Sequence, residues 1–125
     1  MNHCLIAGNC NQQPVISLSS AEAEFYEIVN CSARCLWTRS FLLAIGRAVD
    51  TIIIESDSSA AKGISERFGT GKLRHLQAKD LWVQQKVHDK LIRIQKVPTE
   101  TNVGDLQTKY LDPLRFKSLV AQLPM

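Results

Sequence analysis

The chain is 125 residues long, 45% of them hydrophobic and 22% charged, with a formal net charge of +3. This length supports one domain with a hydrophobic core and excludes two. No apolar run approaches the ~20 residues of a membrane span. No basic segment followed by an apolar one marks a signal peptide. We therefore expect an intracellular protein, cytoplasmic or nuclear, without a membrane partner.

The N-terminal third predicts a strand and a long helix. Residues 1–13 are poorly patterned, with Cys4–Ala7 as a candidate short strand, and Pro14–Leu18 predicts a strand that begins with proline. A helix over residues 21–45 follows, because apolar residues recur there at helical spacing. They are Phe25, Ile28, Val29, Leu36 and Leu43.

The two ends of this helix also carry sequence signals. Ser19 and Ser20 are candidate N-caps, although Ser20 does not begin the usual capping box. Glu22 and Glu24 favour the helix start electrostatically. Gly46 suits the position that follows the last helical turn.

The stretch TIIIESDSSAAKGI, Thr51–Ile64, is the most informative part of the chain. Its β-branched run is too short for a helix and predicts a buried strand over Thr51–Glu55, followed by a helix that extends to about Arg67. Asp57 lies at the junction. Asp is a common N-cap, and the carboxyl end of a strand is also where open α/β sheets bind ligands, so both interpretations of Asp57 are open at this point.

The next segment predicts a loop, a helix and a strand. Phe68–Lys72 (FGTGK) is a loop that lacks the spacing of a phosphate-binding loop. Arg74–Asp89 predicts a second long helix, and the alternation of Leu91–Val97 predicts a half-exposed strand. The apolar residues assigned to the helix are Leu76, Leu81, Trp82 and Val87.

The C-terminal part predicts two further helices. Pro98–Asn102 is a turn, Val103–Tyr110 a short helix, and Asp112–Leu123 a terminal helix that begins with Asp-Pro. Strands and helices therefore alternate along most of the chain, which predicts an α/β fold.

The four cysteines, Cys4, Cys10, Cys31 and Cys35, contain no CxxC pair. A zinc site formed by all four is disfavoured, because structural zinc sites usually have tighter ligand spacing. Free thiols in a reducing compartment are the simpler interpretation.

Basic residues are concentrated in the middle of the chain. Between Ser58 and Lys96, nine basic and three acidic residues give +6, so the remainder carries −3. A basic segment beside an acidic remainder is typical of a polyanion-binding surface next to a carboxylate cluster. A solvated helix surface of mixed charge gives the same count, and this alternative stays open.

Three acids occupy suggestive positions: Glu24 in the long helix, Asp57 after the central strand and Asp105 after the last strand. If the strands are neighbours in one sheet, the three carboxylates converge at one edge. Grouped carboxylates repel one another unless a cation intervenes, and their oxygens are ligands that Mg²⁺ prefers. A pair of metal ions held in this way supports phosphodiester hydrolysis.

Four motifs then carry a resemblance. They are LSSAEAEFYE (Leu18–Glu27), ESDSSAAKGI (Glu55–Ile64), GKLRHLQAKDLWVQQKV (Gly71–Val87) and KVPTETNVGDLQTKYL (Lys96–Leu111). In this order, the motifs resemble the C-terminal portion of the ribonuclease H domain of copia-type retrotransposon Pol polyproteins, and they cover most of the chain from about residue 13.

The resemblance implies a ribonuclease H-like fold with a mixed sheet flanked by helices. It implies cleavage of the RNA strand of an RNA/DNA hybrid during reverse transcription, with Mg²⁺ or Mn²⁺ as cofactor and the rest of the polyprotein as a partner. Glu24, Asp57 and Asp105 match the family's catalytic, metal-binding acids. With the motifs in hand the metal-ligand interpretation of Asp57 is preferred, and capping remains compatible with it.

The resemblance also indicates which residues contact nucleic acid. We expect the basic segment to steer the phosphate backbone, a contribution that weakens with salt. The candidates are Lys62, Lys72, Arg74, His75 and Lys79; His75 lies away from the acids in sequence and is assigned a structural or phosphate-contact role rather than a catalytic one.

The chain departs from the family at its N-terminus. The family's first catalytic Asp lies on the first, central strand, and no Asp precedes Asp50 here. We therefore expect an N-terminally truncated fold without its first strands. The predicted organisation is an N-terminal segment over 1–13, with a candidate strand remnant, a partial ribonuclease H-like domain over 14–111 and a C-terminal helix over 112–125.

This departure leaves two alternatives to an active nuclease. The chain could be a catalytically inactive remnant that binds nucleic acid, since an incomplete metal site is a poor catalyst. It could also be an α/β interaction domain without metal, whose melting temperature Mg²⁺ would leave unchanged.

Overall fold

The computed structural model of the protein describes residues 7, 8, 10, 16–73 and 76–123, with the backbone alone for Lys79. Its helices are α1 (Ser20–Ala44), α2 (Ser59–Glu66), α3 (Trp82–His88), α4 (Asp105–Thr108) and α5 (Pro113–Ala121). Its strands are β1 (Ile52–Ser56) and β2 (Ile92–Lys96), and short 3₁₀ turns cover Ala78–Asp80 and Thr99–Thr101. The predicted α/β class is confirmed. No helix in the described part combines the length and apolar character needed to cross a membrane.

The two strands form a small parallel sheet with Ile54 opposite Ile94. Both of these side chains are buried, whereas Ile53 on the opposite face is 55% exposed. The strand predicted as buried is therefore buried on one face only, and this face packs in the core with residues of α1, α2 and α3. Both strands run in the same direction, so the antiparallel strand that the expected mixed sheet requires is not found within the described ranges.

The two strands predicted near the N-terminus are not seen. Residues 16–18 are not in a strand, and residues 14 and 15 lie outside the described residues. The candidate strand Cys4–Ala7 also lies outside them, apart from Ala7, which has no strand structure.

Helix α1 begins at Ser20, one residue earlier than predicted, and its N-cap is Ser19, one of the two candidate serines. The Ser19 hydroxyl accepts a hydrogen bond from the Glu22 backbone N–H, and the Glu22 carboxylate accepts one from the Leu18 N–H at 2.7 Å. A form of the capping box therefore does exist, but it starts at Ser19 rather than Ser20. At the other end Gly46 has φ +79°, which confirms its predicted place after the last turn.

The fully buried residues of α1 lie in its first half, and Leu36 of the second half packs against the core while partly exposed. Phe25, Ile28 and Val29 are buried as their spacing predicts, whereas Leu43 is 44% exposed. In the second half, Trp37 stacks on Phe41 with ring centroids 6.1 Å apart, and both residues are exposed.

The N-cap of α2 is Ser58, not Asp57. The Ser58 hydroxyl accepts a hydrogen bond from the Ala61 N–H at 3.1 Å. The capping role predicted for Asp57 is wrong because β1 extends to Ser56, one residue further than expected, and the helix starts correspondingly later.

Within its described residues, the predicted helix Arg74–Asp89 is an α-helix only in its second half. Arg74 and His75 lie outside the described residues, and α3 itself covers only Trp82–His88. Leu76 is 5% exposed and enters the core from a turn, with its N–H bonded to the Leu73 carbonyl. The spacing from Leu76 to Leu81 and Trp82 does not follow a helical period, which explains the error.

A buried amide connects α3 to the loop that follows α2. Gln84 is 2% exposed. Its Oε1 accepts from the Gly69 N–H at 2.8 Å, and its Nε2 donates to the carbonyls of Gly69 (2.9 Å) and Ile64 (2.8 Å). One side chain thus satisfies three backbone groups.

Replacing this amide should destabilise the fold strongly. Gln84→Leu keeps the side-chain size but leaves buried backbone groups without partners, and we expect the free energy of unfolding to fall by about 2–4 kcal/mol. Urea denaturation measures this change. Gln85→Leu is the matched control, because Gln85 is exposed and bonds only to Asp89 in the described structure; equal losses in the two variants would contradict the assignment.

The two neighbouring residues at the start of α2 should behave differently. Ser58→Ala removes the cap and should lower the free energy of unfolding by about 1 kcal/mol, whereas Ser58→Asp should retain most of it. Asp57→Asn should cost less than Ser58→Ala. The free energies of unfolding are measured by thermal or urea denaturation. A larger loss of this free energy in Asp57→Asn than in Ser58→Ala would show that Asp57 is the cap.

Candidate acidic site

The parallel strands bring two of the three predicted acids, Asp57 and Asp105, to one edge of the sheet. Asp57 directly follows β1, and Asp105 begins α4 after the turn that leaves β2. Asp105 is 2% exposed, and the Asp57 side chain is 15% exposed. Two carboxylates at this edge are therefore largely removed from water.

A lysine ammonium group lies between these two carboxylates. Lys109 Nζ is 2.9 Å from Asp105 Oδ1 and 3.9 Å from Asp57 Oδ2. Lys109 follows Asp105 by four residues, so one helical turn brings the pair together. The cation that grouped carboxylates require is thus supplied by the chain itself.

The second oxygen of Asp105 is bound by Arg115. Arg115 Nη2 donates to Asp105 Oδ2 at 2.7 Å and to the Thr99 carbonyl at 2.6 Å. A buried carboxylate is tolerated when both its oxygens are paired. Arg115 also connects α5 to the turn before α4, so the acid and the terminal helix hold each other in place.

Glu24 is the third acid of the cluster. Its side chain stays exposed, yet surrounding protein atoms remove part of its water, and this desolvation raises the pKa of Glu24 above its ordinary value. The charge of Asp57 raises that pKa further, the charge of Lys109 lowers it, and those of Glu27 and Asp105 raise it. Glu24 therefore lies within electrostatic range of Asp57, Asp105 and Lys109.

The electrostatics of Lys109 agree with this placement. Its hydrogen bond to Asp105 raises the pKa of Lys109, against an opposing effect of desolvation, and the charges of Asp105, Asp57 and Glu24 raise it further. A lysine whose pKa rises on folding stabilises the protein below the unfolded pKa, and the contribution is lost as the pH rises through the folded pKa.

As arranged, this cluster does not fit a metal ion. In the part of the chain that the structure describes, no three His, Cys, Asp or Glu side chains are grouped closely enough to hold one. Both oxygens of Asp105 already contact cations, and Lys109 lies between Asp105 and Asp57. The oxygen donors are of the type that Mg²⁺ prefers, but the ammonium group occupies the space between them.

The predicted nucleic-acid contacts are described only in part. Lys62 forms an ion pair with Glu66 and donates to the Ile94 carbonyl at 3.3 Å. Its ammonium group is therefore already paired with groups of the protein. Lys72 is exposed. Arg74, His75 and the side chain of Lys79 lie outside the described residues, and these assignments remain predictions.

Sequence reasoning missed Lys109 and Arg115. For Lys109 a signal existed, since an acid and a base four residues apart on a predicted helix are neighbours. For Arg115 the contact depends on how α5 packs, and no sequence pattern indicates it.

Comparison with curated proteins shows a similarity to a retrotransposon polyprotein. The chain is 24% identical over 106 residues to the retrovirus-related Pol polyprotein from transposon TNT 1-94 of Nicotiana tabacum. The match covers 84% of this chain and 8% of the polyprotein. This similarity supports the coarser part of the resemblance found in the sequence, which is the relation to retrotransposon Pol polyproteins.

The other comparisons found no similarity. No family model matches the chain, and no solved structure matches it. The ribonuclease H-like arrangement therefore rests on the sequence motifs.

The convergence of the acids can be measured through Glu24. In the metal-free protein, Asp57→Asn should lower the pKa of Glu24 because it removes a neighbouring negative charge, and Lys109→Met should raise it because it removes a positive one. Nuclear magnetic resonance of the Glu24 side-chain carboxyl carbon follows the titration. A Glu24 pKa that is the same in both variants would show that the three groups do not share one site.

Proposed function

We propose that this chain is part of the ribonuclease H region of a retrotransposon Pol polyprotein. In the intact polyprotein this region hydrolyses the RNA strand of RNA/DNA hybrids with Mg²⁺ or Mn²⁺. The observation that carries the proposal is the contact of Asp57 and Asp105 with one cation, Lys109, in a chain similar to a retrovirus-related Pol polyprotein.

The three acids are assigned the role of metal ligands on two grounds. Their residue types and order match the family's motifs, and two of them, Asp57 and Asp105, contact the same ammonium group, with the charge of Glu24 acting on it as well. A divalent cation at this site has to displace the Lys109 ammonium from Asp105, to which it is bound at 2.9 Å. Metal binding and the internal ion pair are thus in competition.

A second candidate is a nucleic-acid-binding segment without catalysis. The contacts of Lys109 and Arg115 with Asp105 support it, since both oxygens of this acid are neutralised by the chain itself. Lys72 and the predicted contacts Arg74, His75 and Lys79 would then supply the attraction for the phosphate backbone, which salt weakens.

Hybrid cleavage by the 125-residue chain separates these functions. We expect a nuclease to cleave a labelled RNA/DNA hybrid with Mg²⁺ and to lose at least ~100-fold in rate in Asp57→Asn, because removal of a metal ligand lowers metal-dependent rates steeply. Asp50→Asn is the matched control, since Asp50 is exposed and precedes β1. Cleavage that survives Asp57→Asn would refute the assigned role.

The melting temperature gives a second measurement that does not require activity. Lys109→Met removes the competing ammonium, so Mg²⁺ should raise the melting temperature of this variant more than that of the unchanged chain. For each protein the melting temperature with Mg²⁺ is compared with the melting temperature without Mg²⁺. A general loss of stability in the variant therefore cancels in the difference. Salt-sensitive hybrid binding without cleavage or a Mg²⁺ effect would favour the second candidate.

A further inference from the structure

Two cysteine thiols form a pair on the surface of α1, separate from the acidic site. Cys31 and Cys35 lie one helical turn apart, and their Sγ atoms are 4.0 Å apart. Cys31 is exposed, and Cys35 is partly exposed. Neither residue has a role in the proposed nuclease site.

The helix geometry disfavours a disulfide between them. An S–S bond requires Cβ atoms roughly 3.5–4.5 Å apart, whereas helical residues four positions apart have Cβ atoms about 5–6 Å apart. The two sulfurs can approach one another, but a covalent bond would distort the helix. The pair is therefore held as two thiols.

The same separation suits a single metal ion placed between the sulfurs. A zinc–sulfur bond is about 2.3 Å long, so two sulfurs bound to one ion of this size lie up to about 4.6 Å apart. The observed 4.0 Å falls within that limit. The helix thus presents two ligands at a spacing that needs little rearrangement.

We propose that Cys31 and Cys35 form a dithiol site that binds one thiophilic metal cation on the surface of α1. Thiolates select soft cations such as Cu⁺ and borderline ones such as Zn²⁺ over hard cations. The ligand set is two sulfurs, with solvent completing the coordination. Mg²⁺, which prefers oxygen, does not compete for it.

The two thiols interact with one another, and metal binding to them is coupled to proton release. The interaction between the two thiols lowers the pKa of Cys35 to about 7, although partial burial opposes this. The same interaction raises the pKa of Cys31. A divalent cation that binds both sulfurs displaces the thiol protons into solvent.

The other cysteines do not complete a larger site in the described structure. Cys10 is exposed and does not join Cys31 and Cys35 in a group of three ligands within the described residues. Cys4 lies outside those residues. The four-cysteine zinc site considered from the sequence is therefore replaced by a two-cysteine site.

Titration of the reduced 125-residue chain with Cd²⁺ tests the proposal, because cadmium–thiolate bonds give an ultraviolet charge-transfer absorption. The double variant Cys4→Ser/Cys10→Ser should bind one Cd²⁺ as tightly as the unchanged chain. Cys31→Ser and Cys35→Ser should each weaken binding at least tenfold. Since both residues lie at the helix surface, circular dichroism of these variants should remain unchanged.

Three results would overturn the proposal. They are unchanged Cd²⁺ affinity in the Cys31→Ser and Cys35→Ser variants, loss of binding in Cys4→Ser/Cys10→Ser, and absence of a charge-transfer band in the unchanged chain. Proton release on Cd²⁺ addition at pH 7 provides an independent readout, which should disappear in Cys31→Ser/Cys35→Ser.

Discussion

The register between two short parallel strands is the constraint on which the candidate site depends. Ile54 faces Ile94 across the pair, and Ser56 faces Lys96 at the carboxyl edge. The apolar residues determine this register, because a slip of one position would turn Ile54 away from the core. Asp57 follows the carboxyl end of β1, and the chain continues from the carboxyl end of β2 towards Asp105, at the same edge of the sheet. The positions of Asp57 and Asp105 thus depend on how the isoleucines of the two strands pack.

The burial of Asp105 imposes the second constraint. A carboxylate with 2% exposure is stable only if its charge is compensated, and the chain compensates it twice, with Lys109 and Arg115. Three ionised acids and two bases leave a formal charge of −1 in the cluster. The field that draws a divalent cation to this edge is therefore much weaker than three acids alone would create.

The sequence predicts the features that depend on local patterns. Helix α1, both strands, the proline-led α5 and the three acids follow from periodicity, caps and position in the motifs. The identity of the cap at Ser58 could not be predicted, because it depends on a one-residue difference in where β1 ends. The short α3 follows from burial of Leu76 in a turn, which tertiary packing decides. The contact of Arg115 with Asp105 requires the placement of α5, and the 4.0 Å separation of the two thiols requires side-chain rotamers.

The amide of Gln84 has a consequence for the chemical durability of the chain. Hydrolysis of this amide would replace its NH₂ group with a carboxylate oxygen. The carbonyls of Gly69 and Ile64, both now within 2.9 Å of Nε2, would then face a negative charge inside the core instead of a donor. Burial and the three hydrogen bonds hold the amide away from water and from the backbone nitrogen of Gln85, the two nucleophiles that would attack it, which protects it in the native state. Deamidation at Gln84 is therefore a lesion of the unfolded chain, and one that would hinder its return to the native structure.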